Sequence, residues 1–108
     1  MYQGTTPTIP LTFKDIDLSN ARIYLTIQDE KEKNQLTLVS GDDFSVEFDG
    51  KDTTGEIVLT QEQTFQLHAG RGTAQARFIF PDGTAGATGK ANITIDTTLL
   101  KGVIAYDG

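Results

Sequence analysis

Apolar and polar residues alternate with a period of two along most of the chain. Between Ala21 and Gln28, Ile23, Leu25 and Ile27 alternate with Arg22, Tyr24, Thr26 and Gln28. That is the pattern of a strand with one face in a core. The same spacing recurs at Ile9, Leu11 and Phe13, at Leu36 and Leu38, at Phe44, Val46 and Phe48, and at Ile57 and Leu59. It returns at Ala74, Ala76, Phe78 and Phe80, and last at Ala91, Ile93 and Ile95. The pattern predicts about seven strands in a single domain spanning residues 1–108. Turn formers separate them: Asp29 to Asn34, Gly41-Asp42-Asp43, Asp49-Gly50-Lys51-Asp52, Ala69-Gly70-Arg71-Gly72 and Pro81-Asp82-Gly83. Glycine supplies positive φ, aspartate bonds its own backbone and proline presets a turn dihedral, so each cluster can reverse the chain. Short strands with such turns between them predict an all-β, immunoglobulin-like antiparallel β-sandwich, with a small barrel as the alternative.

One segment departs from the period. Thr60-Gln61-Glu62-Gln63-Thr64-Phe65 places a hydroxyl three residues before an amide, the capping-box spacing. It predicts a helical turn near residues 60–64 that crosses between the sheets, with Phe65 and Leu67 closing one end of the core. The ends of the chain are expected to behave differently. Residues 1–7 are polar enough to form a flexible arm. Residues 99–108 carry Leu99, Leu100, Val103, Ile104 and Tyr106 beyond the last strand, apolar side chains that need a cover from the domain's own flank or from a partner.

Composition narrows the chemistry. Nine basic against fifteen acidic residues give a formal charge of −6, the wrong sign for neutralising nucleic-acid phosphates or an anionic membrane. The 37% hydrophobic and 22% charged content can support a core and is not that of a disordered chain. With no cysteine in the chain, disulfides, thiolate metal sites and thiol nucleophiles are excluded. No apolar run is long enough to span a bilayer and the first residues lack a signal-peptide pattern, which predicts a protein made and kept in a cytoplasm.

Catalytic signals are weak. His68 is the single histidine and no Gly-x-Ser-x-Gly elbow exists, so a nucleophile with its base is not expected. Asp15, Asp17, Asp42, Asp43, Asp49 and Asp52 fall in turns, where backbone bonding accounts for them. Asp49 to Glu56 lacks the register of a calcium loop. Gly70-Arg71-Gly72 precedes a strand and not the helix a phosphate loop requires. No catalytic, cofactor or metal residue is therefore assigned. The six phenylalanines fall at inward positions, which leaves Tyr2, Tyr24 and Tyr106 as the rings able to stack on a sugar.

Several stretches, in order, carry a resemblance. Gly4-Thr5-Thr6-Pro7-Thr8 leads into an alternating strand, and Asp17-Leu18-Ser19 precedes Ala21-Arg22-Ile23-Tyr24-Leu25-Thr26-Ile27. Gly55-Glu56-Ile57-Val58-Leu59-Thr60-Gln61-Glu62-Gln63-Thr64 follows, then Ala69-Gly70-Arg71-Gly72, Ala74-Gln75-Ala76-Arg77-Phe78, Pro81-Asp82-Gly83-Thr84 and Leu100-Lys101-Gly102-Val103-Ile104. The chain resembles short proteins of phage and prophage structural-gene clusters in Gram-positive bacteria, similar to the N-terminal β-sandwich domain of siphophage baseplate upper proteins. The helical, oligomerising region that follows that domain is not among these residues. The resemblance implies a non-enzymatic tail or baseplate module, synthesised in the bacterial host cytoplasm and carried in the virion. Its partners would be other phage structural proteins and further copies of itself, with no cofactor, nucleic acid or membrane. The segment bearing Leu99, Leu100, Val103, Ile104 and Tyr106 and the Gln3 to Pro7 arm are the expected contact segments. The alternative expectation is a saccharide-binding or cell-surface β-sandwich module.

Overall fold

The alternating segments pair into two antiparallel sheets in the structure, a computed structural model that describes residues 1–106. The elements in chain order are β1 (Thr8–Phe13), β2 (Arg22–Asp29), β3 (Gln35–Val39), β4 (Ser45–Phe48), β5 (Thr53–Val58), α1 (Gln61–Phe65), β6 (Gly70–Ile79), β7 (Ala85–Ala87) and β8 (Ala91–Ile95). One sheet has the order β1-β5-β4, and the other has β3-β2-β6, with β7 and β8 sharing the far edge of β6. Relative to an immunoglobulin domain, whose second strand lies beside the first and fifth, β2 sits here in the opposite sheet, hairpinned to β3.

The inward phase of each strand meets in one core. Ile23, Leu25 and Ile27 from β2, Leu36 and Leu38 from β3, and Ala76 from β6 pack with Phe13, Ile57 and Ile95. Leu18, Leu59 and Leu67 close its ends from the loops. Gly55 lets β4 and β5 approach closely: a Cβ built there would lie 2.7 Å from the Ser45 carbonyl oxygen and 2.9 Å from Val46 Cγ1.

The helical turn forms as the capping-box spacing requires. Thr60 Oγ1 accepts from the Gln63 N–H, and Gln63 Oε1 accepts from the Thr60 N–H at 2.9 Å. Leu67 is buried as expected, while Phe65 is only half-buried and lies over Gly4.

Four local expectations need correction. Residues 1–7 are not a free arm. The Gln3 N–H donates to the Asp96 carbonyl and the Asp96 N–H to the Met1 carbonyl. Gln3 Nε2 reaches the Leu67 carbonyl, and the Gly4 N–H the Thr64 hydroxyl. Gly70-Arg71-Gly72 is not a turn but the start of β6, because β8 gives those residues a partner ladder. β7 was not expected, since Ala85-Gly86-Ala87 is too short and apolar-poor to show a period. Phe48, expected inward, is exposed at the edge of the smaller sheet.

Candidate functional site

Several of the aspartates are bonded to the backbone. Asp29 is the clearest case, a carboxylate with no exposed surface at the end of β2. Its Oδ1 accepts from the Glu32 N–H at 2.7 Å and its Oδ2 from the His68 N–H at 3.0 Å. Burial pushes its pKa up, but the bonds from His68, Glu32 and Asn34 outweigh that, and the carboxyl is held below its usual range. Asp29 thereby ties the β2–β3 turn to the loop between α1 and β6. Its place could have been read from the sequence, because it continues the inward phase of Ile23, Leu25 and Ile27.

The histidine beside it is no better placed for catalysis. His68 Nδ1 lies 2.8 Å from its neighbour's carbonyl, that of Ala69, and Nε2 lies 3.8 Å from Glu32. The loop aspartates accept from nearby amides. Asp49 takes the N–H groups of Lys51 and Asp52, Asp52 that of Asp15, and Asp43 that of Val39. The Ser19 hydroxyl and N–H on Asp17, the Asp52 and Lys51 N–H groups on Asp49, and the Thr84 bonds on Asp82 lower the pKa of each carboxyl. Among the described residues, no three His, Asp or Glu side chains converge to hold a metal ion. No helix among them is long and apolar enough to cross a membrane.

Two surfaces and one segment remain. The first surface is an apolar cleft of about 550 Å³ between the sheets, open on the side of β1. Ile9 and Leu11 form one wall, Ala74 and Ile93 the other, with Leu25 and Ile27 at its floor. All four wall residues are half-buried while the floor is closed, so the core itself reaches solvent here. Residue patterning alone did not reveal this cleft.

The second surface is the outer face of the larger sheet. Register aligns Thr26 with Thr37 and Gln75, and Gln28 with Gln35 and Thr73. Tyr24 stands next along β2, beside Val39 and Arg77. Thr26, Gln28, Gln35, Thr73 and Gln75 line a polar groove of about 410 Å³, with Lys33 and Lys90 also in its wall. Of the three tyrosines, only Tyr24 belongs to this face. Tyr2 bridges to Asp96 and Tyr106 lies in the C-terminal segment.

That segment stays outside both sheets. Leu99, Leu100, Val103, Ile104 and Tyr106 are 103%, 71%, 55%, 58% and 97% exposed. Gln61 holds Ile104 by a pair of bonds, with Nε2 donating to its carbonyl and Oε1 accepting from its N–H. Val103 lies near Thr6 and Val58. Asp107 and Gly108 lie outside the described residues. No protein-family model matches the chain, and a comparison with curated proteins finds no match.

Proposed function

We propose that the chain is a non-enzymatic structural or assembly module acting through protein–protein contacts, of the phage or prophage tail and baseplate type that its resemblance implies. The observation that carries this reading is the segment 99–106, five large apolar side chains left in water on a domain whose other apolar residues are mostly packed. An uncovered apolar surface of that kind is the mark of an interaction site. The acidic balance adds solubility without attracting nucleic acid. In this reading the protein is made in the bacterial host cytoplasm, enters the virion, and binds other structural proteins and copies of itself. Purified full-length protein and a variant lacking residues 99–108 test it, each co-expressed with the products of the adjacent genes. Co-purification of a tail or capsid protein with the full chain and its loss on deletion is the expected result. Equal behaviour of the two proteins toward every neighbour would overturn the reading.

The outer face of the larger sheet favours a second reading, a saccharide-binding module. Hydroxyl and amide side chains that both donate and accept lie around Tyr24, whose ring could stack on a sugar face. Glycan-array binding lost on Tyr24→Ala and Gln75→Ala would support it. Silence on the array together with unmoved Tyr24 resonances on sugar titration removes it.

A further inference from the structure

We propose that the open side of the sandwich receives residues 99–106 of a second copy of this chain, added as a fourth strand beside β1. The inference rests on the assembly reading and names one partner and its seat. The starting point is a mismatch of width. The larger sheet is four strands across, β3-β2-β6 and then β8, whereas the smaller is three, β1-β5-β4. One strand's width of the larger sheet's inner face is therefore uncovered, and the cleft between β1 and β8 lies there.

The backbone of β1 is ready for such a strand. The Leu59 N–H donates to the Pro7 carbonyl at 3.0 Å, and antiparallel pairing alternates bonded and non-bonded positions. Ile9, Leu11 and Phe13 therefore direct their backbone groups to β5 through the pairs Ile9–Ile57, Leu11–Gly55 and Phe13–Thr53. Thr8, Pro10 and Thr12 direct theirs away from the sheet. The N–H groups of Thr8 and Thr12 and the carbonyls of all three face the cleft side. Pro10 withholds the middle donor, which guards the edge against indiscriminate pairing.

The segment has matching chemistry. It contains no proline, and in an extended conformation Leu100, Gly102, Ile104 and Tyr106 share one face while Lys101 falls on the other. That face supplies apolar side chains to the half-buried walls at Ile9, Leu11, Ala74 and Ile93. Its own domain holds the segment elsewhere. Val103 lies near Val58, which points outward from β5, so Val103 sits on the side of the smaller sheet away from the cleft. Transfer surrenders the two exposed bonds to Gln61 and the contact of Val103, whereas strand addition forms a new ladder and covers apolar surface.

The chain has no cysteine, so introduced thiols report the contact. Leu11→Cys protein mixed with Ile104→Cys protein under mild oxidation is expected to give a mixed disulfide. Light scattering of the unaltered protein is expected to show twice the 11.7 kDa chain mass at high concentration. Deletion of residues 99–108 should return it to a monomer. If Leu11→Cys does not fold, Thr12→Cys mixed with Val103→Cys replaces it, both thiols then lying on the outer, exposed face of the same two strands. A monomer at every concentration with no mixed disulfide overturns the inference, as does a dimer that survives the deletion. A disulfide formed within single chains of the Leu11→Cys/Ile104→Cys variant overturns the second copy as occupant. A monomer whose segment still captures a neighbouring gene product defeats this inference alone. A segment-dependent dimer that captures none of them defeats the rest of the assembly reading.

Discussion

Replacing Asp29 by alanine should destabilise the domain more than any substitution on the outer strand faces. The carboxylate accepts from two backbone amides, Glu32 at 2.7 Å and His68 at 3.0 Å, from a position with no solvent exposure. Alanine leaves both N–H groups without that acceptor, and each such loss costs about 1–3 kcal/mol. Water entering beside His68, which is itself partly exposed, recovers some of this. The expected net loss is about 3 kcal/mol, a large share of the roughly 5–15 kcal/mol that holds a domain of this size together. Near the unfolding midpoint each 1 kcal/mol is worth about 4–8 °C in a small domain, so Tm should fall by roughly 12–24 °C.

Urea and thermal unfolding followed by far-ultraviolet circular dichroism measure the loss, and amide exchange at Glu32 and His68 locates it. Asp29→Asn separates charge from shape, since it keeps one carbonyl oxygen but turns an NH₂ group toward one of the amides. It should fall between wild type and Asp29→Ala. The acid limb supplies an independent check. The folded-state pKa of Asp29 is depressed below the unfolded value of about 4. Its contribution is therefore present above that value and disappears as pH falls through the folded-state pKa. Asp29→Ala should thus flatten the stability curve below about pH 4 while lowering it at neutral pH. A loss under about 1 kcal/mol, with an unchanged acid limb, would refute the claim that this carboxylate clamps the two loops.

Gly55→Ala should cost about 1–3 kcal/mol, because its Cβ meets the Ser45 carbonyl oxygen at 2.7 Å and β4 must shift to admit it; urea midpoints measure the effect. Thr60→Ala removes the N-cap of α1 and should cost about 1 kcal/mol, with Thr60→Ser restoring most of it in the same assay. The depressed carboxyls of Asp17, Asp49 and Asp82 act in the same direction as Asp29. Because they are exposed, the Asp17→Asn/Asp49→Asn/Asp82→Asn variant should change the acid limb less than Asp29→Ala does.

Local signals wrote themselves plainly into the residue order. The period of two located β2 and β3 because alternate side chains there face a core and solvent. The capping box located α1 because both reciprocal bonds lie within four residues. Asp29 continues the same inward phase, but a carboxylate next to a turn reads as turn chemistry until the loops it ties are known to meet. β7 failed for the opposite reason. Its three residues carry no pattern of their own, and they form a strand because Arg77, Phe78 and Ile79 offer them an edge. The Phe78 ring then covers Gly86, so the aromatic residue shields the glycine across the ladder.

The two features that bear on function lie at different distances from the sequence. The apolar character of Leu99, Leu100, Val103, Ile104 and Tyr106 beyond the last alternating segment is plain in the residue order, but their exposure is not, because the same side chains could have been covered by the domain's own flank. The cleft follows from a count no single segment contains. It exists because β8 joins β6 at one end of the larger sheet while, among the described residues, no strand joins the outer edge of β1 in the smaller. Each strand taken alone looks adequately amphipathic, and Ile9, Leu11 and Ile93 carry the same inward phase as residues that are fully covered. Whether an inward side chain is covered depends on how many strands the opposite sheet holds above it. Pairing between distant segments decides that number, so the unfilled place in this sandwich, and with it the seat for another strand, becomes visible only once both sheets are assembled.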